Sequence, residues 1–193
     1  MATGDDGYIK IAEYTSTTSP FTFSSLGGSG IAGLRIVASL RHANSGLEWL
    51  GMRFNSSSGN YHQVVYRTFQ NGSVSHGYQP AYGYNNKTQA YMYNCAPGSN
   101  NQYFFTPFVF DVYGSAPNAI SGYNMGHWHA YESQSGASNH PRTMLGTYQM
   151  EDVASLSSIY IFNGGYANWQ PGTIFSLYGF GRADDNELFS ASG

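Results

Sequence analysis

"PGTIFSLYGF", residues 171–180, decides how this chain is read. Ile174, Ser176 and Tyr178 fall on one side and Phe175, Leu177 and Gly179 on the other, the period-two signature of a β-strand. Phe175 and Leu177 are the expected inward residues, with Ser176 turned toward solvent or a partner. The strand carries no charge, and Pro171-Gly172 at its mouth marks a turn. An aromatic strand of this kind must be paired on its edges, either inside the fold or by subunit association, because an uncovered edge recruits other chains.

The same pattern recurs throughout the chain. "YIKIAEYT" (8–15), "SPFTFSSL" (19–26), "GLRIVASLRH" (33–42), "LEWLGMRFN" (47–55) and "YHQVVYRTF" (61–69) are strand-length segments separated by Gly, Ser and Asn clusters. "QNGS" (70–73) is the strongest hairpin signal, since Asn71-Gly72 suits a tight turn with positive φ. Strands resume in "FFTPFVFDVYG" (104–114), "MGHWHAYESQ" (125–134), "PRTMLGTYQM" (141–150) and "SIYIFNGG" (158–165). Between them, residues 71–103 read as long loops with one strand around "QAYMYN". "MEDVASLSS" (150–158) is too short for a stable helix and reads as a turn. Many short strands at near-regular spacing predict an all-β chain, an antiparallel β-sandwich of jelly-roll type. A length of 193 residues suits one domain, with a core over 8–181 and a C-terminal arm over 182–193.

Composition removes several classes of function. Aromatic residues reach 17% and the formal charge is only -3, which is the opposite of a disordered chain. Eight Lys and Arg, scattered, do not make a phosphate-binding surface, so nucleic acid is not an expected partner. No apolar run approaches a membrane span and the first fifteen residues lack signal-peptide organisation, so neither a membrane nor a secretory route is expected. The single cysteine, Cys95, has no internal partner and reads as a small buried apolar residue.

In "GHWHA" (126–130), His127 and His129 would share one strand face with Trp128 on the other, a spacing open to a metal if His140 or Glu132 supplied a third ligand. Without that ligand the pair is a polar strand face, and no metal or cofactor is expected. No G-x-S-x-G elbow or phosphate loop is present. Asp111, Glu132 and Glu151 stand isolated in sequence, and Asp5-Asp6 and Asp184-Asp185 lie near the ends, so the facing carboxylates of a glycosidase are not apparent. The chain is read as a non-enzyme. Tyr78, Tyr82, Tyr84, Asn85, Asn86, Tyr91 and Tyr93 form a Tyr/Asn/Gly patch suited to recognition, to which Trp128 is added as a partner-binding candidate. The competing reading, that these tyrosines pack in the fold or at a subunit interface, is preferred. The sequons at Asn55, Asn71 and Asn86 read as chance matches in polar loops.

Three landmarks in order, "GLRIVASLR" (33–41), "LGMRFNSSSGNYHQ" (50–63) and "GTIFSLYGFG" (172–181), together with "FTF" at 21–23, resemble a family of short β proteins encoded among the structural genes of tailed bacteriophages, including cyanophages. The matching stretches span residues 8–181. The resemblance implies a virion component, made in the bacterial cytoplasm and assembled on the particle, with no catalytic residue to carry over. It implies structural roles for Arg53 and Asn55 in "RFN", for Asn60 and Tyr61 in "GNY", and for Phe175, Leu177 and Tyr178 in the last strand. Arg53 would bridge carbonyls or a carboxylate, and Asn55 and Asn60 would shape a turn. It further implies a symmetric oligomer, a trimer above all, whose subunits would pair the last strand. The expected function is an outer capsid decoration or cement protein. The alternatives are a tail-associated protein binding a host surface glycan through the tyrosine loops and, third, a phage-borne hydrolase.

Overall fold

The computed structural model describes residues 8–26, 33–43, 48–55, 58–59, 61–68, 70–71, 75–76, 79–80, 84–96, 105–113, 123–133, 141–151, 156–164 and 167–180. These residues form strands β1 (Tyr8–Tyr14), β2 (Phe21–Phe23), β3 (Gly33–Leu40), β4 (Glu48–Phe54), β5 (Tyr61–Thr68), β6 (Gln70–Asn71), β7 (Ser75–His76), β8 (Gln79–Pro80), β9 (Tyr84–Lys87), β10 (Ala90–Ala96), β11 (Thr106–Tyr113), β12 (Tyr123–Ser133), β13 (Pro141–Glu151), β14 (Ile159–Asn163) and β15 (Ile174–Phe180). No helix occurs among the described residues. The chain is an antiparallel β-sandwich. The larger sheet runs β1-β15-β3-β11-β12-β13-β5-β8, with β9 also on β5, and the smaller runs β10-β4-β14-β2. From β1 to β5 the chain changes sheet at every strand, and it does so again around β10, β14 and β15. Strands that alternate between two packed sheets in this way make the β-sandwich anticipated from the strand spacing.

The opening stretch shows how residue choice builds an element. Thr173 N–H donates to Gln170 O at 3.1 Å around Pro171 and Gly172, and Gly172 has φ 91°. Proline fixes the first central position and glycine supplies the positive φ of the second, which is a type II turn. The Thr173 hydroxyl donates to Arg41 O at 3.0 Å and accepts from Arg41 N–H at 3.2 Å, fastening the turn to the end of β3. The strand then pairs β1 on one side, from Ile9↔Gly179 to Tyr14↔Phe175, and β3 on the other, from Ile174↔Ser39 to Phe180↔Gly33. Both edges are satisfied within the chain. The last strand therefore does not depend on subunit association for a partner, a correction to the expectation drawn from the trimer.

Phe175 and Leu177 are wholly buried, as the alternation predicts. Ser176 is buried as well, although it sits on the outward face, because Glu13 of β1 lies over it and accepts its hydroxyl at 3.1 Å. Its expected exposure is thus corrected by a neighbour that only pairing supplies. The exposed edge passes to β1, where Ile9 and Ile11 lie in solvent. A register shift between Lys10 and Ala12 bulges that strand, and an exposed Lys10–Glu13 ion pair decorates it, both of which discourage edge-to-edge pairing.

Between the sheets lies one core. The larger sheet contributes Ile36, Leu40, Phe108, Phe110, Trp128 and Leu177, and the smaller contributes Leu50, Met52, Phe54, Met92, Ile159 and Ile161. Glycines admit its largest rings. A Cβ on Gly146 would stand 2.1 Å from Trp128 Nε1, and one on Gly126 would stand 2.3 Å from the Tyr148 ring. Gly146 is the cross-strand partner of Trp128, and Gly126 that of Tyr148. Each ring occupies the space its glycine partner leaves open. Tyr14 stacks on Phe21 at 3.7 Å and bridges the two sheets at one border. β6 pairs with β7 around the Asn71-Gly72 signal, with Asn71 in the ladder opposite Ser75 and Gly72 outside the described residues.

Candidate functional site

The larger sheet's outward face carries rows of side chains that cross it perpendicular to the strands. One row reads Lys10, Tyr178, Arg35, Asp111, His127, Thr147, and each residue is the pairing partner of the next. Asp111, isolated in sequence, is the centre of this row. Arg35 grips it with Nε on Oδ1 at 2.6 Å and Nη2 on Oδ2 at 2.7 Å, a bidentate pair. The Tyr113 hydroxyl reaches Oδ2 at 3.4 Å, and His127 Nε2 lies 3.2 Å from the same oxygen. Asp111 is 0% exposed and His127 49%, so the carboxylate is roofed by its own partners. Among the described residues Asp111 is the one buried acidic side chain. A buried carboxylate is tolerable only when paired in this way.

Electrostatics follow from that arrangement. The hydrogen-bonded carboxylate of Asp111 raises the Arg35 guanidinium above its ordinary value. Burial, and then the charge of Asp111, raises the Tyr113 phenol. Both groups therefore hold their protons firmly at neutral pH, and Arg35 stays a cation.

An arc of rings borders the ion pair. The Arg35 guanidinium carbon lies 4.9 Å from the centroid of Tyr8, which is 5.5 Å from Phe180. Phe180 meets Tyr113 nearly edge-on at 5.6 Å, and Tyr113 and His127 lie 5.5 Å apart at 23°. Phe180 and Tyr113 belong to strands separated by β3, and they touch because the intervening residue is Gly33. A Cβ there would stand 2.3 Å from the Phe180 ring. Beside the arc runs an apolar row in which Val37 and Leu145 are exposed, with Val109 and His129 between them.

The residues singled out from sequence have separate fates. His127 and His129 share the outward face with Trp128 buried beneath, as the alternation requires. Among the described residues, however, no three His, Cys, Asp or Glu side chains converge on a metal position. His127 is turned to the Arg35–Asp111 pair instead. Trp128, proposed as a partner-binding residue, is corrected to a core residue at 1% exposure. Tyr91 lies on the outward face of the smaller sheet, 4.6 Å from Trp49. Tyr84, Asn85 and Asn86 are placed in β9 and Tyr93 and Cys95 in β10 by backbone only, their side chains falling outside the described residues. Tyr78, Tyr82, Asn60 and His140 lie outside the described residues altogether, as does the Glu132 side chain.

The "RFN…Y" segment is an internal brace. Arg53 Nε and Nη2 donate to Gln89 Oε1 at 3.3 and 2.9 Å, and its guanidinium lies 5.3 Å from the Phe162 ring. Its acceptor is an amide oxygen, and the ring adds a cation–π contact. Asn55 adopts φ 51° and its Oδ1 accepts from Ser157 N–H at 2.7 Å, Ser157 Oγ at 2.9 Å and Ser158 N–H at 3.1 Å. It shapes a turn and ties that turn to the approach to β14. The Tyr61 hydroxyl accepts from Phe54 N–H at 2.8 Å, and burial pushes its phenol up to about 12. Tyr178 stands on the outward row between Lys10 and Arg35.

What sequence reasoning missed is the Arg35–Asp111 pair, separated by 76 positions. A weak signal existed. "GLRIVASL" and "FVFDVY" each carry one charged residue at an outward position of an otherwise apolar strand. Comparison with protein-family models, with curated proteins and with solved structures gives no match for this chain.

Proposed function

We propose that this chain is a non-enzymatic structural protein of a tailed-bacteriophage virion, displayed on the outer surface as a capsid decoration protein. The motif order "GLRIVASLR", "RFN…GNY", "FSLYG" supports the virion assignment by resemblance. The observation that carries the reading is the outward face of the larger sheet, on which, among the described residues, Val37, Tyr113, Leu145 and Ile174 are exposed beside a locked ion pair. A rigid sandwich with one mixed apolar and polar face is suited to lie against other proteins of a particle, where wet interfaces combine aromatic contact with hydrogen bonds. Asp111 is buried under Arg35 and its other partners and so is not presented to a substrate, which counts against the hydrolase reading. Tail-borne receptor binding is a second reading, favoured by the exposed ring arc around Arg35.

Quantitative mass spectrometry of separated heads and tails tests this. Copies co-purifying with heads in a fixed, high ratio to the major capsid protein are expected. A few copies confined to tails would favour the second reading, and absence from purified particles would remove the virion assignment.

A further inference from the structure

We propose that the arc formed by Tyr8, Phe180, Tyr113 and His127 around Arg35 is a binding site for a neutral glycan, with the rings contacting pyranose faces and the outward N–H groups of Arg35 bonding to sugar hydroxyls. The inference deepens the receptor-binding reading, and it requires the Arg35 end of this face to be open to solvent; it does not depend on the chain being part of a virion.

Around Asp111 most of the polar contacts are already made. Asp111 faces Arg35 Nε at one oxygen, and Arg35 Nη2, Tyr113 Oη and His127 Nε2 at the other. It is fully buried beneath these partners and so presents neither oxygen to a ligand. Arg35 has donated from Nε and once from Nη2, which leaves Nη1 and the second Nη2 proton, and its side chain is 32% exposed. The buried carboxylate thus fixes a planar donor on the surface. A donor held in place beforehand loses little freedom on binding.

The rings are fixed as well. Tyr8 covers one side of the guanidinium, and Gly33 lets Phe180 lie across β3 to reach Tyr113. From β1 to β12 the arc crosses four interstrand spacings, about 19 Å. That length suits an extended oligosaccharide better than a single ring.

Charge selects the class of glycan. Lys10 is paired with Glu13 and Arg35 with Asp111, so the row's fixed charges cancel and no net field draws an anion. A hydroxyl both donates and accepts, so a neutral sugar can pair with the exposed guanidinium and imidazole while leaving water on its other side.

The test uses the full chain, labelled and applied to an array of neutral hexose and N-acetylhexosamine oligosaccharides beside uronate- and sialate-terminated ones, with affinities then taken by calorimetry. At least one neutral oligosaccharide is expected to bind. Tyr113→Ala and His127→Ala are each expected to weaken binding about fivefold to tenfold. Arg35→Lys is expected to weaken it similarly, because lysine keeps the charge but loses the fork. Leu145→Ser, on the adjoining row, should leave affinity unchanged, and melting temperatures identify any variant that fails to fold. Absence of binding to every neutral glycan overturns the proposal. So does binding that survives both Tyr113→Ala and Arg35→Lys in folded protein, or binding confined to acidic glycans and abolished by salt.

Discussion

The two outward faces of the sandwich are built from similar residues and end in opposite conditions. On the smaller sheet, Trp49, Tyr91, Tyr160 and Phe162 form a layer in which ring centroids lie 4.6 to 5.6 Å apart, with Arg53 alongside. Phe162 is 0% exposed although it points away from the core. Two glycines allow this, since a Cβ on Gly51 would stand 2.5 Å from Phe162, and one on Gly164 would stand 2.3 Å from the Trp49 indole. The larger sheet has its outward glycine at one end of β3, and there the rings converge. Farther along, Val37 and Leu145 remain in solvent. Aromatic residues on a sheet surface close it into a second small core where glycine gives them room to lie down. Where it does not, side chains such as Val37 and Leu145 remain exposed.

The largest effects should come from the groups that close each face. Phe162→Ala is expected to cost about 3–5 kcal/mol in chemical denaturation, the cost of emptying a core site. A cost below about 1 kcal/mol would mean that the smaller sheet's face is open after all. On the other face, Arg35→Met should cost about 3 kcal/mol because the buried Asp111 loses its bidentate cation and keeps only the Tyr113 hydroxyl and His127 beside one oxygen. The double variant Arg35→Met with Asp111→Leu should recover most of that loss, since apolar replacement of a buried pair is often neutral. Failure to recover would mean that the pair is needed for the register of β3 on β11.

An effect of intermediate size separates interior tyrosines from those outside. Burial raises the Tyr61 phenol to about 12 and raises Tyr148 well above its ordinary value. For a raised value, stability is complete below pH 10, where the unfolded chain also keeps its phenol protons. It falls as pH climbs from 10 through the folded value, because the unfolded state then releases protons that the folded state retains. Tyr61 alone should account for a loss on the order of 2–3 kcal/mol by pH 12. Ultraviolet titration should show surface tyrosines ionising first and the interior pair only with unfolding. Simultaneous ionisation of all tyrosines before unfolding would contradict the burial of that pair.

Smaller still is Gly51→Val, expected to cost about 1–3 kcal/mol by crowding Phe162. Smallest is Leu145→Ser, within about 0.5 kcal/mol, because an exposed side chain on the open face stabilises little. A large loss in Leu145→Ser, accompanied by a change of oligomeric state in sedimentation, would show that another copy of the chain covers this face.

Alternation made most strands legible. Phe175 and Leu177, Phe108 and Phe110, and Trp128 with its flanking histidines all face as the period-two pattern demands, because the pleat forces successive side chains to opposite sides. The type II turn was equally legible, since only glycine takes positive φ there without strain. Trp128 was placed on the right face but given the wrong role. Nothing local to residue 128 shows that Gly146 leaves the space its indole fills.

The candidate site was far less legible. Asp111 reads as a lone carboxylate because its partner lies on a strand 76 residues away, brought alongside only when β3 and β11 pair. Ser176 reads as exposed because the Glu13 that covers it belongs to the other end of the chain.

The sequence by itself determined the fold class, the faces of the longer strands and the turns between them. These follow from side-chain period and backbone sterics, which act between neighbours in the chain. It did not determine residues 71–103, which read as long loops with one strand and contain the short strands β7, β8 and β9 as well as β10. Only the tertiary structure decided which charged groups meet, which aromatic rings close over glycine and which sheet face is left in solvent. Those outcomes depend on strand order and register, which are set by the packing of the whole core and not by any one segment.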